Sequence, residues 1–173
     1  MRPFNRKDTD SIVRIYVEAF REPPWYEKWT REQVMSSLDA ALAQERPTAL
    51  VANVESVMVG FTWGYQTPFA EFPFLTGTIS QNSVYLSEIA VDPKARGRRV
   101  GMALCSAFIG TSEEMRFEEV VLRTDERNPA SVGLFTKAGF VSIGNLDSRY
   151  PNRPYMKKEL EPGKRLLVGC VRP

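Results

Sequence analysis

The chain has 173 residues, 43% of them hydrophobic, and its 23 basic and 21 acidic residues leave a net charge of +2. This length predicts one domain with a sizeable core, and the near balance of charge argues against a nucleic-acid partner. There is no histidine and only two cysteines, which excludes a Ser-His-Asp triad and argues against a zinc site or other metal centre. No apolar run approaches the roughly 20 residues of a membrane span, so we expect a cytoplasmic protein without a membrane partner.

The first half of the chain predicts a strand, two helices and a hairpin. Residues 2–6 form a short strand, and a helix over 8–20 follows with Asp8 or Thr9 as its N-cap. Paired prolines at 23 and 24 end this helix, and Thr30 opens the next one in capping-box register with Gln33, as far as about Gln44. Two β-rich runs, 48–55 and 57–66, predict a hairpin before an aromatic loop.

The second half alternates strands and helices. Residues 83–91 predict a buried strand, and a helix opens near Arg98 after a turn rich in arginine and glycine. A strand over 118–124 precedes a helix capped by Asn128 and stopped by Gly139. Two closing strands complete an α/β fold in which about four helices flank a mixed, mostly antiparallel sheet of six to seven strands. We expect one domain over residues 1–160 and a tail over 161–173.

The stretch DPKARGRRVGMAL, residues 92–104, lies between the buried strand and its helix. Backbone N–H groups at a helix N-terminus suit a phosphate, and glycine permits the close approach that such binding needs. Three arginines add charge-assisted hydrogen bonds: Arg96, Arg98 and Arg99. The spacing is neither that of a triphosphate loop nor that of a dinucleotide fingerprint. A solvated charged turn and a nucleic-acid patch are the alternatives for this stretch.

AVDPKARGRRVGMAL, residues 90–104, resembles the acyl-CoA pyrophosphate loop of the GNAT-type N-acetyltransferases, where R-G-x-G-x-G/A follows the fourth strand. NPASVGLFTKAGF, residues 128–140, is similar to the second signature of that family. Both occur in order at family spacing, and the resemblance covers roughly residues 2–160. It implies the GNAT fold and an enzyme that moves an acetyl group from acetyl-CoA to a primary amine. No nucleophile for a covalent acyl-enzyme stands out, so we expect direct attack in a ternary complex, with a small molecule as the acceptor.

The resemblance also implies which residues hold acetyl-CoA. The segment of β-strand backbone that comprises Ile89, Ala90 and Val91 would pair with the pantetheine arm through the backbone groups of Ile89 and Val91. Asn128 would form a hydrogen bond with the end of that arm. The pyrophosphate would lie on the N–H groups of the loop and the first helical turn, which are those of Arg96, Gly97, Arg98, Arg99, Val100, Gly101, Met102 and Ala103.

Two residues depart from the family pattern. Arg99 stands where the family usually has glycine, so a positive φ is disfavoured there, although its charge lies near the phosphates. Phe135 stands where many members carry the tyrosine that protonates the leaving thiolate, and it faces the cofactor or the core. Tyr150 is our first candidate for that role; Tyr155, Tyr85 or an unaided thiolate are the others.

Glu88 is the candidate general base, because it is a carboxylate inside an otherwise apolar strand, directly before the predicted cofactor-pairing residues. The N–H of Ile89 would stabilise the oxyanion. The alternative for Glu88 is a strand-end carboxylate paired to an arginine. Two interpretations stay open for Trp25, Trp29 and the aromatic loop: these residues line an acceptor pocket, or they cap the core.

The acceptor is predicted more coarsely. Four carboxylates in the first helical region and the aromatic loop favour a cationic amine: Glu18, Glu22, Glu27 and Glu71. One alternative is a peptide or protein N-acetyltransferase. The other is a non-catalytic acyl-CoA-binding or regulatory module, which Phe135 favours because it cannot donate a proton. The sequence leaves open whether the protein forms a homodimer and whether its tail is buried.

Overall fold

The computed structural model describes residues 1–161, so the predicted boundary between domain and tail stays a prediction and residues 162–173 lie outside the described part. The four helices of the described part are α1 (Thr9–Arg21), α2 (Arg31–Leu42), α3 (Val100–Glu114) and α4 (Pro129–Lys137). The strands are β1 (Arg2–Pro3), β2 (Thr48–Val54), β3 (Val57–Gln66), β4 (Ser83–Val91), β5 (Glu119–Arg123), β6 (Val141–Gly144) and β7 (Tyr155–Glu159).

The seven strands form one sheet in the order β1-β2-β3-β4-β5-β7-β6. Every neighbouring pair is antiparallel except β4 and β5, which are parallel. This arrangement confirms the predicted α/β fold with a mixed, mostly antiparallel sheet. None of the four helices in residues 1–161 combines the length and the apolar character that a membrane span needs.

Local capping explains where several helices begin. The Thr30 hydroxyl accepts a hydrogen bond from the N–H of Gln33, and the Gln33 side chain accepts one from the N–H of Thr30, as predicted. That helix ends at Leu42, slightly before the predicted Gln44. Asp8 does precede α1 but makes no capping bond to it. Its carboxylate accepts hydrogen bonds from Arg2 at 2.6 and 2.8 Å and from the N–H of Asn5, the cap of an earlier 3₁₀ turn, at 2.8 Å.

The core lies on both faces of the sheet. On one face α1 and α2 bury an aromatic stack that includes Tyr16, Phe61 and Trp63. On the other face α3 and α4 cover a second cluster, in which Phe108 lies against Gly64 of β3. A Cβ at Gly64 would come within 2.6 Å of the Phe108 ring, so only glycine allows α3 to pack this closely.

The parallel strands β4 and β5 separate halfway along. Their pairing runs only from Ser83 opposite Glu119 to Leu86 opposite Leu122. A β-bulge follows directly: Trp63 of β3 pairs with Glu88 and Gly64 with Leu86, which leaves Ser87 as the extra residue. The rest of β4, up to Val91, pairs with β3 alone. The sheet is therefore open at the position where the sequence predicts a bound cofactor.

Candidate active site

A cleft of about 1290 Å³ occupies the gap between β4 and β5. It runs from the C-terminal end of α1, across the second half of β4, to the N-terminal ends of α3 and α4. The predicted residues that line it are Glu88, Ile89, Ala90, Val91, Arg96, Gly97, Arg99, Val100, Gly101, Met102, Asn128, Phe135 and Tyr150. Arg98 and Ala103 do not line it. Predicted residues from four separate segments therefore meet along one channel.

The free edge of β4 presents hydrogen-bonding groups to this cleft. The N–H of Asp92 donates to the carbonyl of Val59 on β3 at 2.9 Å. Backbone groups alternate between the two sides of a strand, so Ala90 also faces β3, whereas Ile89 and Val91 present their N–H and C=O groups to the open edge. This geometry fits the predicted pairing of Ile89 and Val91 with an extended arm. Ala90 itself packs into the core beneath α1.

The N-terminus of α3 carries a run of unpaired N–H groups. Two of the predicted donors are used by the fold, because the N–H of Arg96 points to the Pro93 carbonyl at 3.4 Å and that of Ala103 to the Arg99 carbonyl at 3.0 Å. For the N–H groups between them, 97–102, the described residues offer no acceptor, and no side chain caps the helix. These groups and the positive end of the helix dipole form a site for an anion.

The three arginines of this loop behave differently. The Arg96 guanidinium pairs with the Glu22 carboxylate at the end of α1, and Arg98 does not line the cleft. Arg99 lines the cleft and adopts a φ of 60°, close to the 76° of Gly97. The expectation that arginine disfavours a positive φ here is therefore corrected: the turn keeps a left-handed conformation, at a cost of about 1 kcal/mol.

Asn128 and Phe135 flank the other side of the cleft. The Asn128 side-chain oxygen caps α4 by accepting from the N–H of Ser131 at 3.1 Å, which leaves its amide nitrogen available to a ligand. Phe135 is buried and packs edge-on against Phe140, with ring centres 5.7 Å apart. Its ring has no proton to donate, so it serves as an apolar wall.

Glu88 lies at the centre of the cleft, directly after the bulge in β4. Its half-buried carboxylate accepts a hydrogen bond of 3.3 Å from the Tyr16 hydroxyl, and no described residue forms a salt bridge with it. The alternative of an arginine-paired strand end is therefore not found. Burial raises the pKa of Glu88 to about 8, against the opposing effect of the Tyr16 hydrogen bond and of the more distant Arg123 and Arg153.

The three candidate tyrosines differ in exposure. Tyr150 lines the cleft and is 38% exposed. Tyr155 is fully buried, its hydroxyl has no hydrogen-bond partner among the described residues, and it does not reach the cleft. Tyr85 lines the cleft, but burial raises its pKa strongly. Tyr150 is therefore the candidate whose hydroxyl a substrate can reach.

The end of the cleft away from α3 is aromatic, with the rings of Phe20, Trp25, Trp29, Tyr65 and Phe72. We call it the acceptor end, because an acceptor pocket is one of the two predictions for this region. Of the four carboxylates that favoured a cationic acceptor, only Glu27 is present there, held by the Trp29 indole N–H at 2.7 Å. The other three lie elsewhere: Glu18 pairs with Arg14, Glu22 with Arg96, and Glu71 contacts Gln44. Sequence spacing could not reveal this, because side-chain direction depends on packing.

Sequence reasoning did not single out several residues of the cleft, among them Tyr16, Arg123 and Arg153. Tyr16 belongs to the apolar stripe of α1, where an aromatic residue normally indicates core packing. Arg123 ends β5 and Arg153 lies in the loop before β7, more than 50 residues after Glu88. The single signal available was that Arg123 is a charged residue at the end of a strand whose interior is apolar.

The acetyltransferase (GNAT) family model matches residues 9–140. The chain is 28% identical to the mycothiol acetyltransferase of Salinispora tropica over 134 residues, which are 77% of this chain and 41% of that protein. Its identity to the mycothiol acetyltransferase of Thermobispora bispora is also 28%, over 78% of this chain and 43% of that protein. The chain thus spans about two fifths of the length of these relatives.

Solved structures share the fold. Ribosomal-protein-alanine N-acetyltransferase from Brucella melitensis superposes with a TM-score of 0.72 at 22% identity, over 92% of this chain and 98% of that one. The acetyltransferase yncA from Salmonella typhimurium, solved with its cofactor acetyl-CoA, gives 0.70 at 19% identity, over 92% of both chains. Because the family model spans most of the chain and both motifs line one cleft, the protein belongs to the GNAT family of acetyltransferases, which use acetyl-CoA.

Proposed function

We propose that the protein transfers the acetyl group of acetyl-CoA to the primary amine of a small molecule, with Glu88 as the general base. The observation that carries the proposal is the position of Glu88 in the opening between β4 and β5. One end of this cleft offers unpaired N–H groups suited to a pyrophosphate, and the other offers an aromatic pocket suited to the acceptor.

The residues present fit acetyl-CoA. In this proposal the N–H groups of Gly97 to Met102 hold the pyrophosphate, with help from the Arg99 guanidinium. The open backbone groups of Ile89 and Val91 hold the pantetheine arm, and the free amide of Asn128 bonds its end. When bound, acetyl-CoA supplies the acetyl thioester on which the amine acts.

Glu88 has a pKa suited to deprotonate an ammonium group. An alkyl ammonium has a pKa of about 10.4, so transferring its proton to a carboxylate of pKa about 8 costs about 3 kcal/mol, against about 8 kcal/mol for an ordinary glutamate. About a tenth of Glu88 is ionised at pH 7. The raised pKa thus makes the base stronger without eliminating its active form.

The remaining groups would act on the carbonyl and the thiol. The N–H of Ile89 points to the open edge and would stabilise negative charge on the carbonyl oxygen. Tyr150 would donate a proton to the leaving thiolate, since Phe135 cannot. The ammonium group of the acceptor arrives with a positive charge, which the carboxylate of Glu27 and the ionised fraction of Glu88 would attract.

A non-catalytic acyl-CoA-binding module is the second candidate, and the buried Phe135 favours it. Calorimetric titration with acetyl-CoA, followed by free-thiol release across a panel of small amines and peptides, separates the candidates. We expect micromolar binding and thiol release with a small-molecule amine. Binding without release would favour the module, release only with peptides would favour a peptide acetyltransferase, and absence of binding would contradict both uses of the cleft.

A further inference from the structure

Two arginines beside the general base have no role in the chemistry described so far. Arg123 and Arg153 both line the cleft, and their side chains are 22% and 26% exposed. Their guanidinium carbons lie 4.2 and 5.3 Å from the centre of the same Tyr150 ring. They therefore converge on one place in the acceptor end, although the chain brings them there from different segments.

Both arginines form ion pairs that are longer than hydrogen bonds. The nearest described carboxylate oxygen to Arg123 is that of Asp147 at 3.7 Å, and those nearest to Arg153 belong to Asp125 at 3.6 Å and Glu27 at 3.7 Å. All three separations exceed hydrogen-bond length. Both guanidiniums can thus still donate to a ligand.

The two aspartates are already satisfied by other residues. Asp125 binds the Arg127 guanidinium with two hydrogen bonds of 2.9 and 2.7 Å, and Asp147 binds that of Arg149 with two of 2.9 and 2.8 Å. With Glu27, three carboxylates are therefore shared among four guanidiniums. The one positive charge left over falls on the two arginines that face the cleft.

This surplus lies within electrostatic reach of Glu88, since Arg123 and Arg153 both lower its pKa. An acceptor that places its ammonium group at Glu88 would hold any neighbouring substituent close to the arginines. Guanidinium forks match the geometry of a carboxylate and bind it with charge-assisted pairs. The aromatic walls formed by Phe20, Trp25 and Phe72 suit an apolar or aromatic side chain on the same molecule.

We infer that Arg123 and Arg153 bind the carboxylate of the acceptor, so that the preferred acceptors are small α-amino acids with an apolar or aromatic side chain. This inference rests on the proposed function and specifies its acceptor class. It replaces a simple cationic amine with a molecule that carries both charges: the ammonium is recognised by Glu88 and Glu27, and the carboxylate by the arginine pair.

The test compares three acceptors that differ only at the carboxylate: L-phenylalanine, L-phenylalaninamide and 2-phenylethylamine. Free-thiol release from acetyl-CoA gives kcat/KM for each. We expect L-phenylalanine to exceed both others by at least about tenfold, the usual effect of a charge-assisted pair. Arg123→Gln and Arg153→Gln should each reduce that ratio several-fold. Because both arginines also lower the pKa of Glu88, each variant should change kcat/KM for all three acceptors through that base, and the ratio between acceptors removes this shared change.

Arg31→Gln is the matched control, because Arg31 is exposed, pairs with Asp10 and does not line the cleft. It should leave the ratio unchanged, and thermal unfolding of all three variants checks that they fold. Equal kcat/KM for the three acceptors would overturn the inference while leaving the proposed function intact.

A second measurement covers the case in which none of the three amines is acetylated. Calorimetry of the protein with CoA then compares 3-phenylpropionate with 3-phenylpropanamide, neither of which has an amine. Tighter binding of the acid, lost in Arg153→Gln, supports the arginine site even if acetyl transfer fails. Equal binding of acid and amide, or no binding of either, overturns the inference.

Discussion

The two ends of the cleft are built in different ways. The end at α3 consists of backbone N–H groups from one stretch of six residues, 97–102. The acceptor end consists of side chains from separate segments, namely Tyr16, Trp25, Glu27, Glu88, Arg123, Tyr150 and Arg153. The first can be recognised in a short motif, whereas the second exists only after the sheet and its helices have packed.

This difference determines how each end responds to substitution. The α3 end depends on backbone conformation and on a helix dipole, so a changed φ should weaken acetyl-CoA binding without altering the chemistry. The acceptor end depends on the ionisation of Glu88 and its neighbours, so substitutions there should alter turnover and its pH dependence. Substitutions at the two ends should therefore separate binding from catalysis.

The largest expected effect is that of Glu88→Gln. Glutamine keeps the size of the side chain but cannot accept the ammonium proton, so kcat should fall by at least about a hundredfold. The Kd for acetyl-CoA, measured by calorimetry, should stay within about twofold because the α3 end is untouched. An unchanged kcat would remove Glu88 from the mechanism.

Gly97→Ala should weaken acetyl-CoA binding at the α3 end of the cleft. Gly97 has a φ of 76°, and a left-handed conformation costs alanine about 1–2 kcal/mol, so acetyl-CoA should bind roughly tenfold more weakly. The kcat at saturating acetyl-CoA should change little. Gly110→Ala is the control, because Gly110 lies within α3 with no atom near its missing Cβ; it should stabilise the fold and leave affinity unchanged. Equal effects of the two variants would contradict a role for the turn.

Tyr16→Phe should produce a smaller change in turnover. The Tyr16 hydroxyl donates to Glu88 and lowers its pKa, so its loss should move that pKa above about 8 by less than about one unit. At pH 7 kcat should fall roughly threefold to fivefold, and at pH 9.5 it should recover. A pH profile of kcat measures this shift; a reduction that persists at high pH would indicate a structural defect instead.

Arg99→Ala should have the smallest effect. Arg99 lines the cleft and Arg98 does not, so the two exposed residues form a matched pair. An exposed charge contributes less than about 1 kcal/mol, so Arg99→Ala should weaken acetyl-CoA binding roughly twofold to threefold, and less so in high salt. Arg98→Ala should have little effect. The reverse order would show that the loop binds phosphate through Arg98.

The sequence predicted features that depend on local order. The capping box at Thr30, the Asn128 cap and the order of strands and helices follow from side-chain periodicity and turn chemistry, and all three are confirmed. Glu88 was found because a carboxylate inside an apolar strand is unusual.

The features that escaped prediction depend on tertiary packing. The separation of β4 and β5 is implied by the family resemblance, but the bulge at Ser87 that accompanies it has no local signal in the sequence. Tyr16 has the spacing of a core residue, and the arginines at 123 and 153 converge only through the pairing of β5 with β7. The charge of the acceptor end could not be predicted from nearby glutamates for the same reason.

The pH dependence of kcat for wild type and Glu88→Gln, measured by free-thiol release at saturating acetyl-CoA and acceptor, tests the central claim most directly. Below about pH 8 the ionised fraction of Glu88 falls about tenfold per unit, so wild-type kcat should rise with pH and level off above about 8. Glu88→Gln should be slow and lack this inflection. The same inflection and rate in both proteins would contradict Glu88 as the base and the proposed acetyl transfer in this cleft.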